Sequence, residues 1–192
     1  MDVIDEKNIT LQKELNELDR FVLKSLEIIQ KHASYALISD YLASLCGSIR
    51  KIEEAEVMIS LLSPEQFNNL YNELLQQGFW CIHSENVEEI YSMLKEGVSA
   101  KFAQKGVVIP YLGLQFAQDN FDTLVLTEKI KVELFSTVIY IGSPALQVAY
   151  KRFVLKRPQD EEDAECLQHY FNLNEEKIIK ARMVLMEYGK IN

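Results

Sequence analysis

The stretch Leu37-Ile38-Ser39-Asp40-Tyr41-Leu42-Ala43-Ser44-Leu45-Cys46-Gly47-Ser48-Ile49-Arg50-Lys51-Ile52-Glu53-Glu54-Ala55-Glu56-Val57-Met58-Ile59 decides how the chain is read. It opens in a short apolar run, residues 35–39, suited to a buried strand. A short helical segment follows over residues 40–46, and Gly47-Ser48 makes a turn. Residues 55–62 form a second β-prone run. On an extended segment Glu54 and Glu56 project from the same face. Two carboxylates so placed make a hard-oxygen site suited to Mg²⁺, which takes few protein ligands and completes its shell with water and substrate phosphates. Gly47 lets the backbone approach a phosphate closely, the Ser48 hydroxyl is a further donor, and Arg50 adds a planar cation for the same anion. Together these are the parts of a metal-assisted phosphoryl or nucleotidyl transfer site.

The same residues admit a plainer account. Glu53, Glu54 and Glu56 with Lys51 can form a solvated face, and Ile49, Ile52 and Ile59 allow a helix in which the two acids do not face each other. Gly-Ser is also an ordinary helix-ending turn.

Outward from this stretch, residues 9–32 have helical period, with Leu11, Leu15, Leu18, Phe21 and Ile28 at three- and four-residue steps and Asn8 or Thr10 as the cap. Ser63-Pro64-Glu65-Gln66 is a helix start with a capping box and Pro at the first position, predicting a helix to Gln77 that stops at Gly78. An aromatic strand over residues 79–83 and a helix over residues 87–95 come next. Residues 98–103, 107–117, 124–127, 129–134 and 137–141 are short β-prone runs. Helical pattern returns after Ser143-Pro144, with further starts at Pro158 and at Asn174-Glu175. The expected division is an N-terminal helix over residues 1–34, an α/β core over 35–142 and a C-terminal helical portion over 143–192. Several strands in sequence make the fold class α+β.

Composition narrows the function classes. In 192 residues, 48% hydrophobic and 26% charged, there is enough apolar material for a well-buried core. Lys and Arg number 20 against 29 Asp and Glu, a net charge of −9, so the overall field repels phosphate backbones and anionic membranes. This argues against direct nucleic-acid binding. The acidic N-terminus lacks a secretory pattern, the apolar runs are too short to span a bilayer, and Cys46, Cys81 and Cys166 are widely spaced with no CxxC. The expectation is a cytoplasmic protein with no membrane segment and with free thiols.

The quoted stretch resembles the nucleotidyltransferase superfamily of the DNA polymerase beta type, most nearly archaeal nucleotidyltransferase-like proteins of the AbiEii-related kind. Their pattern is an apolar strand, a turn with Gly, a helix, Gly with a nearby Ser, then Arg and an acid–apolar–acid strand. It recurs here as residues 37–39, 41–45, Gly47, Arg50 and Glu54-Ala55-Glu56-Val57-Met58-Ile59. Gly78-Phe79-Trp80-Cys81, Ile109-Pro110 with Phe116-Ala117, Gln147-Val148-Ala149-Tyr150-Lys151 and Asp160-Glu161-Glu162-Asp163-Ala164 look like later landmarks, so the resemblance covers about residues 35 to 171. It implies a nucleotidyltransferase-like mixed sheet flanked by helices. Glu54 and Glu56 are the implied catalytic and metal-binding acids for Mg²⁺, and Gly47, Ser48, Arg50 and Lys151 the implied contacts to an NTP. The implied activity is transfer of an NMP to an acceptor hydroxyl.

Departures from the pattern are as informative. The two family Asp are Glu here, moving each carboxylate outward by roughly one bond length where catalytic geometry tolerates about half an ångström. The family Thr is Ile52, and the Gly after the first strand is Asp40. A third carboxylate, expected on a later strand as metal ligand or general base, falls on Gly113, and the basic residue two places on is Gln115. These losses point to a degenerate site. The rival expectation is a non-catalytic relative that binds a protein partner or a second copy of itself, as in toxin–antitoxin pairs of similar proteins.

Other candidates carry ordinary readings. The cluster Lys151, Arg152, Lys156 and Arg157 can hold phosphate or can be a solvated helix face pairing with residues 160–163. Asp160, Glu162 and Asp163 more simply charge a helix start. Cys81 and His83 share an expected strand face, Trp80 is expected to anchor the core, and no Ser/His/Asp or Cys/His triad can be argued.

Overall fold

The computed structural model describes residues 9–11, 14–48, 50–134 and 137–192. Its centre is an eight-stranded mixed sheet in the order β1-β7-β8-β2-β3-β6-β5-β4. The strands are β1 (Ile9–Leu11), β2 (Tyr35–Ile38), β3 (Glu54–Ile59), β4 (Phe79–Cys81), β5 (Ala100–Gln104), β6 (Tyr111–Phe116), β7 (Ile130–Leu134) and β8 (Thr137–Ile141). The helices are α1 (Glu17–Ile29), α2 (Asp40–Leu45), α3 (Pro64–Gln76), α4 (Val87–Lys95), α5 (Asn120–Thr127), α6 (Pro144–Tyr150), α7 (Pro158–Tyr170) and α8 (Glu175–Glu187). A π-helical turn over Lys151–Leu155 continues α6. The mixed sheet and flanking helices meet the expected fold class.

Period-two alternation separates the faces of the central strands. Ala55, Val57 and Ile59 of β3 are buried on one face beside Leu112, Leu114 and Phe116 of β6, which runs parallel to it. α3 and α4 cover that face, Phe67 and Tyr91 packing on Phe116 with ring centroids 5.8 and 5.7 Å away. α1 reaches it farther along, through Phe21 against Phe79 at 5.6 Å. Glu54 and Glu56 stand on the other face, toward α2, α5 and the C-terminal helices. The buried residues of α6, α7 and α8, among them Val148, Leu167 and Leu185, join the same core.

Local signals explain most boundaries. Ser63 accepts from the Gln66 N–H at 3.2 Å and Gln66 Oε1 from the Ser63 N–H at 2.9 Å, the capping box the sequence predicts. Four expectations need correction. The first helix starts at Glu17, because Asn16 and Asp19 form a capping box there; Thr10 lies in β1 opposite Glu133, and Asn8 is outside the described residues. Residues 124–127 are helical: Asp119 accepts from the Asp122 N–H at 2.9 Å to start α5, and Phe121 and Val125 bury one face of it. Trp80 does not anchor the core. Alternation on the three-residue β4 turns Phe79 and Cys81 inward and leaves Trp80 half-buried, its Nε1 donating to the Val107 carbonyl at 2.9 Å. β4 also ends before His83, which is exposed, so Cys81 and His83 share no strand face.

Candidate functional site

The segment around Glu54 and Glu56 is a strand. Ile49 lies outside the described residues, and β3 begins at Glu54, so the helical alternative for the two acids does not hold. Both side chains are half-buried and point from one face, with Ala55 between them turned into the core. β2 ends in register with them, Ile38 opposite Glu56. Burial pushes the Glu56 carboxyl up, and the neighbouring charges of Glu54 and Asp40 add to this against a hydrogen bond from Ser39 and the more distant Lys151 ammonium. The immediate surroundings of Glu56 are thus short of positive charge.

On the other side of β3, Gly113 is the partner of Glu56, and Lys101 of β5 is the next residue across the sheet. The position at which the resemblance implies a third carboxylate is therefore directly beside Glu56, and there the chain has no side chain. A Cβ built on Gly113 would sit 3.0 Å from the Ser99 hydroxyl and 3.5 Å from Glu56 Cγ. A side chain at position 113 would require the Ser99 hydroxyl to shift by a few tenths of an ångström. Lys101 does not bridge to the acids: its Nζ lies 4.6 Å above the centre of the Tyr111 ring.

The turn between β2 and α2 departs from the expected one by a single residue. Ser39 has φ 69° and ψ −151°, a conformation that glycine adopts freely and other residues rarely. Asp40 is the first residue of α2. The position with glycine-like backbone is thus Ser39, not Asp40. Gly47 also has positive φ, 100°, with open space where its Cβ would be, and it is exposed. The Ser48 hydroxyl accepts from the Arg50 N–H at 3.4 Å, which leaves its own O–H as a donor.

The two cations implied for an NTP are occupied. Arg50 Nη2 lies 2.6 Å from Asp40 Oδ2 and 2.9 Å from Asp163 Oδ2. Lys151, whose side chain is only 2% exposed, places Nζ 2.6 Å from Asp40 Oδ1, 3.0 Å from Asp163 Oδ2 and 3.7 Å from Asp160 Oδ1. Arg157 completes the group, its Nε donating to Asp160 at 2.6 Å. Three acids face three cations, joining the start of α2, the turn after α6 and the first part of α7. Burial pushes the Asp40 carboxyl up, but the Lys151 and Arg50 charges outweigh it and hold the group below the usual range. For Asp163, more deeply buried, desolvation wins over the same cations and the carboxyl is raised. Asp40, Asp160 and Asp163 bring oxygens within 4.8 Å of one another, yet with the Lys151 ammonium within 3.7 Å of each, the cluster already holds its cation. Lys151 is accordingly neither a solvated face residue nor a free phosphate ligand. This network was illegible in the sequence beyond the charge alternation of residues 151–163. It depends on Asp40, more than 100 positions away.

Mg²⁺ fits this arrangement in part. Glu54 and Glu56 can supply the one or two carboxylates that Mg²⁺ takes from a protein. A two-metal clamp needs a further bridging acid, and Gly113 offers none.

No protein-family model matches the sequence, and no curated protein matches it. The fold is similar to the crystal structure of an antigenic nucleotidyltransferase-like protein from Paracoccidioides brasiliensis, with a TM-score of 0.50 and 12% sequence identity. The match covers 88% of this chain and 86% of that one. A likeness at this identity establishes the fold: a nucleotidyltransferase-like mixed sheet flanked by helices. Among the described residues no helix is long and apolar enough to cross a membrane.

Proposed function

We propose that this chain is a nucleotidyltransferase-fold protein that does not transfer nucleotides and acts as a binding or protein-interaction module, in the manner of the non-catalytic members of toxin–antitoxin-like systems. One observation carries the proposal: Glu56 is in register with Gly113, so the position for a third carboxylate carries no side chain. General-base activation of an acceptor hydroxyl needs a group within hydrogen-bond reach of the proton it takes, and that side of the site offers none. The commitment of Arg50 and Lys151 to Asp40 and Asp163 supports the same conclusion, because a triphosphate would compete with the partly exposed Arg50–Asp40 pair and would have to displace the buried Lys151–Asp163 pair.

The catalytic alternative rests on the shared face of Glu54 and Glu56. There Mg²⁺ would be held by the two carboxylates and would supply Lewis-acid charge for NMP transfer from an NTP. Gly47, Ser48, Arg50 and Lys151 would be the nucleotide contacts, two of them only after their ion pairs opened.

The test is incubation of the full chain with each of the four α-labelled NTPs, in Mg²⁺ and in Mn²⁺, with candidate acceptors from a cell extract. The expected result is no metal-dependent transfer of label. Transfer lost on Glu54→Gln or Glu56→Gln would establish the catalytic alternative instead.

A further inference from the structure

β2 has a second polar neighbourhood at its other end. Ile38, the last residue of the strand, is beside Glu56, whereas Tyr35, the first, opens onto a hollow of about 450 Å³. Lys31, His32, Ser34, Tyr35, Lys129 and Tyr140 contribute to its walls. Lys129 precedes β7 and extends its ammonium over the aromatic wall, 4.8 Å from the centre of the Tyr140 ring and 5.9 Å from that of Tyr35. Its Nζ donates to the Ser34 hydroxyl at 2.6 Å. Among the described residues no carboxylate pairs with it, and partial burial alone draws its pKa below the ordinary lysine value.

The acids on the α1 side face other groups: Glu73 is held by Lys31 at 2.6 Å and His32 at 2.6 Å, and Glu27 also acts on Lys31. Lys131 is opposite Tyr140 in the β7–β8 ladder, which places it on the same face, and it is exposed. Lys31, Lys129 and Lys131 thus gather on this side of a chain of net charge −9, and of the three it is Lys129 that meets a hydroxyl and two rings instead of a carboxylate. Further donors among the lining residues are the Tyr140 and Ser34 hydroxyls and the Gln30 amide, beside the remaining N–H bonds of the Lys129 ammonium. The volume lies within the roughly 300–1,000 Å³ of small-molecule sites.

We propose that this hollow binds a small phosphate-bearing ligand, with Lys129 as its principal contact and Tyr140 and Ser34 as supporting donors. A phosphate dianion can accept from more donors than a planar carboxylate does, and an ammonium serves it well as a compact point charge. The two rings give the remainder of the ligand an apolar wall. This site is separate from Glu54 and Glu56, so its failure and that of the non-catalytic reading are independent.

The experiment is titration of the full chain with inorganic phosphate and with phenyl phosphate at constant ionic strength, followed by amide chemical shifts, with chloride and benzoate as controls. Saturable shifts centred on residues 31–35, 129 and 140 are expected, weakened at least tenfold by Lys129→Gln and retained in Lys105→Gln, which removes the same charge elsewhere. If Lys129→Gln does not fold, Tyr140→Phe is expected to weaken binding several-fold. Shifts no larger than with chloride, equal affinity in the Lys129 variant, or benzoate binding as tightly as phenyl phosphate would each overturn the assignment.

Discussion

At the residue scale, two positions carry the tension of the site. Ser39 holds φ 69° and ψ −151°, a backbone state that costs a residue with a Cβ about 1–3 kcal/mol. Ser39→Gly is expected to raise stability by about 1 kcal/mol in urea unfolding, the greater freedom of unfolded glycine and the lost contact with Glu56 offsetting the rest. A less stable variant would mean the Ser39 side chain matters more than its strain. Glu56 is the second position, its carboxyl pushed up first by burial and then by Glu54 and Asp40. An acid whose folded pKa exceeds its unfolded one favours the folded state when protonated. Stability from this group is therefore present at low pH and declines as pH rises from the unfolded value through the folded one. Glu56→Gln is accordingly expected to be more stable than the parent at pH 7, with the advantage vanishing toward pH 4. A pH series of denaturant midpoints reads this directly, and an advantage that persists unchanged at pH 4 contradicts it.

At the scale of elements, the ion-pair network sets how α2, α6 and α7 meet. Lys151 is buried against three carboxylates, so Lys151→Met would leave acids without their cation and is expected to cost about 3–5 kcal/mol. The exposed pair Lys180–Glu176, 2.7 Å apart on α8, provides the contrast: Lys180→Met should change stability by less than about 1 kcal/mol. Equal losses in the two variants would remove the network from any structural role. These elements also show what the sequence could and could not disclose. The Ser63 capping box, the strand carrying Glu54 and Glu56, and the helix starts at Pro158 and Asn174 were legible because each rests on neighbours within a few residues. The α5 residues read as strand because Leu124, Val125 and Leu126 are β-compatible, and the deciding cap, Asp119, lies outside that run. Trp80 misled because large aromatic area outweighed the period-two position it occupies. Which cations were free for a ligand was illegible for a different reason: pairing of Arg50 and Lys151 depends on the packing of α2 against α7, which no local pattern encodes.

At the scale of the whole molecule, an eight-stranded sheet presents two acids where β3 emerges and then fails to accompany them. β6 contributes Gly113 beside Glu56, and the C-terminal helices present cations already neutralised by Asp40, Asp160 and Asp163. On the proposed reading, a sheet of this kind with its acids incomplete serves as a scaffold for binding, since a fold does not by itself confer a reaction. The most direct measurement is the thermal midpoint of the full chain with ATP, GTP, CTP or UTP, each with and without Mg²⁺ or Mn²⁺. A bound ligand at 100 times its dissociation constant would add about 2.7 kcal/mol, a shift of several degrees for a chain this size. The account predicts no metal-dependent increase with any of the four; an increase that requires the metal and disappears in both Glu54→Ala and Glu56→Ala would contradict it.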